Sequence, residues 1–278
     1  MSFRLSAFGD EIADDLDDQL QVLRRLQIQH LELRSAWGTN VLRLDDAQLA
    51  AVAHACERHG IGVSCLGSPV GKTPITEPIE LELANLERLI RTAAMLGAPA
   101  VRIFSFYPPD SADAWLDTSI ARLARLAEVA ARADVLLLLE NEKQVVGDTP
   151  ERCAALLRGV SNDALRFVWD PANFVQVGVA QPTERGWPLL AEYVAHVQIK
   201  DAVLADGRVR PAGQGDGQVP ELLGRLRDAD YHGFLALEPH LVVAGHSGGF
   251  SGPQGMATAA EALRSLLSAQ GCAEDADT

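Results

Sequence analysis

The sequence predicts a single-domain α/β protein, a closed (β/α)8 barrel, and three observations carry that expectation. Strand-like and helix-like segments alternate nearly end to end along 278 residues. About eight such units fit that length, which is the size of a closed barrel. The strands also read as continuous apolar runs, as expected when helices cover one face and barrel-filling side chains the other.

Taken in order, strands are predicted at 4–8, 30–33, 62–66, 100–104, 135–140, 166–169, 194–199 and 234–238. Helices follow at 15–26, 45–58, 78–96, 112–133, 150–158, a short piece at 187–191, 219–229 and 254–269. The fourth helix shows the pattern. Leu116, Ile120, Leu123, Leu126, Ala127 and Ala130 recur at helical spacing, with Arg122 and Arg125 off that face. Asp45 and the pair Thr149-Pro150 mark helix starts, the second an N-cap followed by proline at the first helical position. A doubly wound open sheet is the competing architecture. It brings a Gly-rich turn after the first strand, and Phe8-Gly9-Asp10-Glu11-Ile12 has none. No low-complexity linker interrupts the chain, so one domain is expected over 1–271, with an acidic, frayed tail at 272–278.

A net charge of −14 counts against a nucleic-acid partner, which needs clustered Lys and Arg to displace counterions. No apolar run reaches the roughly 18 residues of a membrane span. The N-terminus turns acidic at once, unlike a signal peptide. Cys56, Cys65, Cys153 and Cys272 show neither CxxC nor Cys/His zinc spacing and read as reduced thiols of a cytoplasmic protein. Apolar residues near Trp187 and Phe250, read as exposed, are compatible with a homodimer.

Function is argued from the ends of the last four strands. Four leucines run into Glu140, Arg166-Phe167-Val168-Trp169 into Asp170, and Phe234-Leu235-Ala236-Leu237 into Glu238. The seventh strand carries His196, Gln198 and Lys200 at alternate positions, so all three face one way. A carboxylate directly after an apolar strand is costly unless paired, protonated or bound to a cation. In a parallel barrel these ends meet at one mouth, where the chemistry of such folds sits. Two Glu, one Asp and a Gln or His make an oxygen-rich set suited to one divalent cation, Mn²⁺ first, then Mg²⁺, with Co²⁺ or Zn²⁺ if an imidazole joins. The matching chemistry is proton abstraction beside a carbonyl, with Glu140 and Glu238 as the bases and the cation polarising the carbonyl. Two bases on opposite faces give epimerisation. One base shuttling between carbons gives isomerisation, and loss of a β-hydroxyl from the same enediolate gives dehydration.

These residues resemble the xylose-isomerase-like TIM-barrel superfamily, in its sugar phosphate isomerase/epimerase group. The likeness covers nearly the whole chain. It is closest in Leu139-Glu140-Asn141-Glu142-Lys143, Gly147-Asp148-Thr149-Pro150-Glu151, Asp170-Pro171-Ala172-Asn173-Phe174, Ile199-Lys200-Asp201-Ala202, 211–217 and Leu237-Glu238-Pro239-His240-Leu241. The resemblance implies one Mn²⁺-like ion held by Glu140, Asp170, a seventh-strand residue and Glu238. The family's ligand His stands three residues before the Asp of the Lys-Asp pair, and here that place is Gln198. Gln198 is therefore the expected third ligand, with His196 one pleat deeper. That swap keeps a dehydratase of an inosose- or dehydroshikimate-like substrate as the alternative, and a catalytically silent carbohydrate-binding barrel as the second. Asn173 stands where related epimerases and DNA-repair endonucleases often place His. With 7 histidines and an acidic surface the endonucleases fit poorly.

The expected substrate is a small carbohydrate or polyol-derived molecule. Its contacts are expected from Arg34, Lys72, Asn173, His196, Lys200 and His240, with Arg34 and Lys72 suited to a carboxylate or phosphate. Glu11, beyond the first strand, and His246 are further rim candidates. The loop at 213–217 fits neither Gly-rich phosphate fingerprint and is expected to shape the turn into the seventh helix.

Overall fold

The computed structural model describes residues 1–241 and 251–275. Among them, parallel strands β1 (Ser2–Phe8), β2 (His30–Leu33), β3 (Gly62–Leu66), β4 (Ala100–Ile103), β5 (Leu136–Glu140), β6 (Leu165–Trp169), β7 (Val194–Ile199) and β8 (Phe234–Leu237) pair in sequence order. The sheet closes where Arg4 to Ala7 of β1 lie opposite Phe234 to Leu237 of β8. All eight predicted strands are present, and the barrel is closed. The apolar runs are buried on both sides, as in β5, where Leu137, Leu138 and Leu139 are at most 2% exposed.

Helices α1 (Leu16–Arg25), α2 (Asp46–His59), α3 (Glu80–Leu96), α4 (Leu116–Arg132) and α5 (Pro150–Val160) follow their strands at the predicted places. Asp45 and Gln48 form a reciprocal capping box at α2, and Gly60 closes that helix at φ 64°, a conformation costly for other residues. Thr149 caps α5 with Pro150 in its first turn. The sixth unit differs from the expected short helix at 187–191. It holds two helices, α6 (Pro171–Gln176) and α7 (Pro182–Leu190). The Asp170-Pro171 pair, which also suits a turn, starts a helix here, with the Asp170 side chain accepting from the Asn173 amide. Trp187 is half-buried against Trp169, their ring centroids 6.2 Å apart, rather than exposed, while Phe250 lies outside the described residues. The chain continues through α8 (Val219–Asp228) and α9 (Gly252–Ala269). No described helix is long and apolar enough to cross a membrane.

The expected fraying at 272–278 is corrected for its first residues. Ala273 and Glu274 extend the sheet beside Ser2 and Phe3, Cys272 is buried, and Arg264 pairs with Glu274. Backbone pairing and an ion pair outweigh the acidic composition there; 276–278 lie outside the described residues.

Inside the barrel, Cys65, Ala100, Leu138 and Val168 pack as a small apolar layer. The next inward positions on three of those strands are Arg102, Glu140 and Asp170. Strand parity thus sets a charged layer directly on an apolar floor.

Candidate active site

Carboxylate oxygens of Glu140, Asp170 and Glu238 all lie within 4.8 Å of one another, and all three residues are buried. Gln198, fully buried, places its amide nitrogen 3.1 Å from Glu140 Oε2, while its Oε1 has no partner among the described residues. Neighbours fix this set. The Asn141 side chain exchanges two hydrogen bonds with the Asp170 backbone. Asn173 Nδ2 donates to Glu140 Oε1 at 3.1 Å, and its own Oδ1 accepts from Lys143. The Lys200 ammonium sits within the cluster, 2.7 Å from Asp170 Oδ2 and 2.8 Å from Glu238 Oε2. Three converging carboxylates and an orphaned amide oxygen are the donor set of a hard divalent cation.

A second group lies on the β1–β2 side. Arg34, just beyond β2, donates to Asp10 Oδ2 at 2.7 Å, Glu11 Oε1 at 2.9 Å and Glu238 Oε1 at 2.6 Å. His240 Nε2 stands 3.4 Å from Glu11 Oε1, and the His240 amide donates to Glu11 Oε2. On β4, Arg102 reaches Glu140 Oε2 at 3.0 Å and the Ser68 carbonyl, its guanidinium lying against Phe8 and Phe104.

The two Glu differ in proton affinity. Burial pushes Glu140 up to about 7, with Arg102 opposing and Glu238 adding to the rise. Burial acts on Glu238 too, yet Lys200, His240, Arg34 and Arg102 together hold it well below the usual carboxylate range. Asp170 is pushed up to about 6 by burial, against the pull of Lys200. Burial lowers His240 to about 3, leaving it neutral near pH 7.

The expected site residues fall into three places. Arg34, Lys72, Glu140, Lys200, Glu238 and His240 line one cavity of about 370 Å³ together with Arg102, Glu142, Lys143, Gln176 and Val209. Asp170, Asn173 and Gln198 sit beneath its floor, bonded to those residues. His196 is set apart, buried deeper with Nε2 2.7 Å from Glu32 Oε2 across the barrel. Lys72 pairs with Glu142 at 2.9 Å over the Phe104 ring. His246 lies outside the described residues.

Sequence reasoning passed over Arg102, Glu32 and Glu142. Arg102 and Glu32 carried the signal that marked Glu140, a charge inside an apolar strand, and that signal was there to be read. The loop at 213–217 does shape the turn. Asp201 accepts the amides of Gly213, Gly215 and Gly217, and a Cβ at Gly215 would stand 2.5 Å from the Ala202 carbonyl. Those amides are therefore not free to cradle a phosphate.

The profile of the family described as "Xylose isomerase-like TIM barrel" matches residues 20–268. A human protein named "Putative hydroxypyruvate isomerase" is 29% identical over 166 residues, 55% of this chain and 58% of that protein. The chain thus spans under two thirds of that relative's length. The fold also superposes on a solved "IOLI protein with a binding zinc atom" with a TM-score of 0.79 at 16% identity, covering 96% of this chain and 99% of that one. A "D-tagatose 3-epimerase-like protein" gives a TM-score of 0.77 at 16% identity, covering 96% and 98%. At such identities the likeness is one of fold. The family profile reaches further, and by it the chain belongs to the xylose isomerase-like TIM-barrel family.

Proposed function

We propose that the chain is a divalent-cation-dependent isomerase or epimerase of a small sugar-like hydroxyketone. The observation that carries this reading is the pair Glu140 and Glu238, which bound one cavity with opposite proton affinities. Two carboxylates whose surroundings drive their pKa values apart suit an acid and a base. Glu238, ionised, takes the proton beside the substrate carbonyl. Glu140, whose proton affinity burial raises in the metal-free site, would take or return the proton at the neighbouring position. Glu140, Asp170, Gln198 and Glu238 would hold the cation, which when bound supplies Lewis-acid stabilisation of charge on the substrate oxygen. Mn²⁺ is the first candidate for this set.

Arg34, Lys72, Arg102, Lys143 and Lys200 make the cavity wall cationic despite an acidic protein, which favours a substrate with a carboxylate or phosphate. Hydroxypyruvate, named for the human relative, is small and anionic and is the first substrate to try. Gln198 in place of His favours one second reading, a dehydratase using the same groups.

Metal-stripped protein reloaded with Mn²⁺ and incubated with hydroxypyruvate and small ketoses in deuterated water tests the reading. Deuterium entering without mass loss supports it, and loss of water points to the dehydratase. No exchange on any substrate, with no Mn²⁺ bound, would leave only a binding barrel.

A further inference from the structure

Lys200 occupies an unusual place for a lysine. It is the inward residue after Gln198, it is buried, and its ammonium joins two of the three clustered carboxylates, Asp170 and Glu238. Three carboxylates this close in a dry setting cannot all stay ionised without a cation among them. A divalent ion drawing on the same oxygens would lie a few ångströms from the ammonium, and the like charges would repel strongly there. Arg34 cannot be the group that yields, because Asp10 and Glu11, outside the cluster, hold it as well. Lysine is a point charge on a flexible four-carbon stem and can swing. Glu142 lines the same cavity, feels the Lys200 charge and already draws Lys72 and Lys143.

We propose that Lys200 is the resident counter-ion of Asp170 and Glu238 within the carboxylate cluster, that a divalent cation binds by displacing its ammonium from them, and that the displaced ammonium turns into the cavity to meet an anionic substrate. The inference rests on the cluster being the cation site. Its consequence is an order of events: the cation loads first, and only then is the full anion-binding wall in place. Lys200 also lets the barrel fold and persist before any ion arrives.

The test uses the full chain, stripped with a chelator, as wild type, Lys200→Met and Lys200→Gln. Each is titrated with Mn²⁺ at neutral pH by calorimetry. Removing the competing charge is expected to tighten Mn²⁺ binding about tenfold or more in both variants. In the wild type, acylation of Lys200 by acetic anhydride, read by peptide mass spectrometry against Lys143, is expected to rise severalfold when Mn²⁺ saturates. Unchanged or weaker Mn²⁺ binding in both variants overturns the proposal, since Lys200 then stays beside the ion. If neither variant folds, the wild-type acylation decides, and no rise overturns it. Failure of wild type and variants alike to bind Mn²⁺ overturns it too, and that pattern alone also removes the cation reading of the site.

Discussion

Two groups at the mouth share Glu238, and both bring three possible ligands together. Glu140, Asp170 and Glu238 form one, and Glu11, Glu238 and His240 the other, each with ligand atoms within 4.8 Å. They differ in how their polar atoms are used. On the β1–β2 side the Arg34 fork reaches three carboxylates, and Glu11 also accepts from Ser251 Oγ and the His240 amide. Of the carboxylate oxygens gathered there, only Asp10 Oδ1 lacks a partner among the described residues. On the β5–β8 side Lys200 serves Asp170 and Glu238 and Arg102 serves Glu140, while the Gln198 oxygen is left without a partner among the described residues. Similar ligand spacing therefore makes two different objects. The first is a tie joining β1, β2 and β8. The second keeps an unpartnered amide oxygen beside three converging carboxylates, an acceptor set open to a cation. Saturation, more than proximity, separates them.

The sharpest way to break this comparison is to neutralise one Glu at a time. Glu140→Gln should cut turnover by about 10²–10⁴-fold and cost some stability, since buried Arg102 loses its charged partner, an effect softened because burial already favours a protonated Glu140. Glu238→Gln should lose as much turnover and more stability, since two cations, Arg34 and Lys200, lose a charged partner. Rates and melting temperatures of the two variants decide it. Equal stability would show that Glu238 does not bridge the two groups.

The next test compares the two cations. Arg34→Met should destabilise by about 3–5 kcal/mol, because it strands buried Asp10 and Glu11 without a cation. Lys200→Met should cost clearly less, since Glu238 keeps Arg34, and Asp170, pushed up to about 6, can take a proton. Urea unfolding of the metal-free proteins measures both, and the reverse order would exchange the roles assigned to the two sides.

These differences bear on what the sequence could tell. The β5–β8 group was legible because each member ends an apolar run, and a period of about one strand-plus-helix unit predicts that such ends meet. On the β1–β2 side Arg34, Glu11 and His240 read as rim or substrate candidates, but their pairing was not legible. Arg34 finds Glu238 across 204 residues, through the closure of β8 onto β1, and no local pattern encodes that pairing. Lys200 was legible as an inward residue, but its partners depend on where the Asp170 and Glu238 backbones lie. Asp170 itself was ambiguous, since Asp-Pro suits a turn as well as the N-cap of α6 that it proves to be.

Within the β5–β8 side, Gln198 and His196 can be separated. Gln198→Ala should weaken Mn²⁺ binding about tenfold or more, since it removes the unpartnered oxygen beside the cluster. His196→Ala should leave Mn²⁺ affinity nearly unchanged but cost about 1–3 kcal/mol by stranding buried Glu32. If His196→Ala weakens the metal more, His196 is the ligand.

The smallest effect expected is a pH dependence, and its sign follows from the same contrast. Glu140 and Asp170 hold their protons up to about 7 and about 6 in the folded protein, whereas the unfolded chain releases them near pH 4. The folded state thus binds more protons across roughly pH 4–7, so these groups lower metal-free stability as pH rises through that window. Glu11, pushed up to about 7 by burial, adds the same slope on the Arg34 side. Glu142, held at about 2 against burial by Lys72, Lys200 and Lys143, acts oppositely, but its contribution is lost only as pH falls through roughly 4 toward 2. A divalent ion on Glu140 and Asp170 must displace their protons, so Mn²⁺ stabilises more where they are already gone. The rise in melting temperature on adding Mn²⁺ should therefore grow by a few degrees, about 2–4 °C per kcal/mol, between roughly pH 5 and 8. In Glu140→Gln that growth should shrink. In Arg34→Met it should persist, because Glu140 and Asp170, whose protons the ion displaces, are not partners of Arg34. Equal gains at both ends of the range would place the ion away from Glu140 and Asp170, and loss of the slope in Arg34→Met would move it to the β1–β2 side.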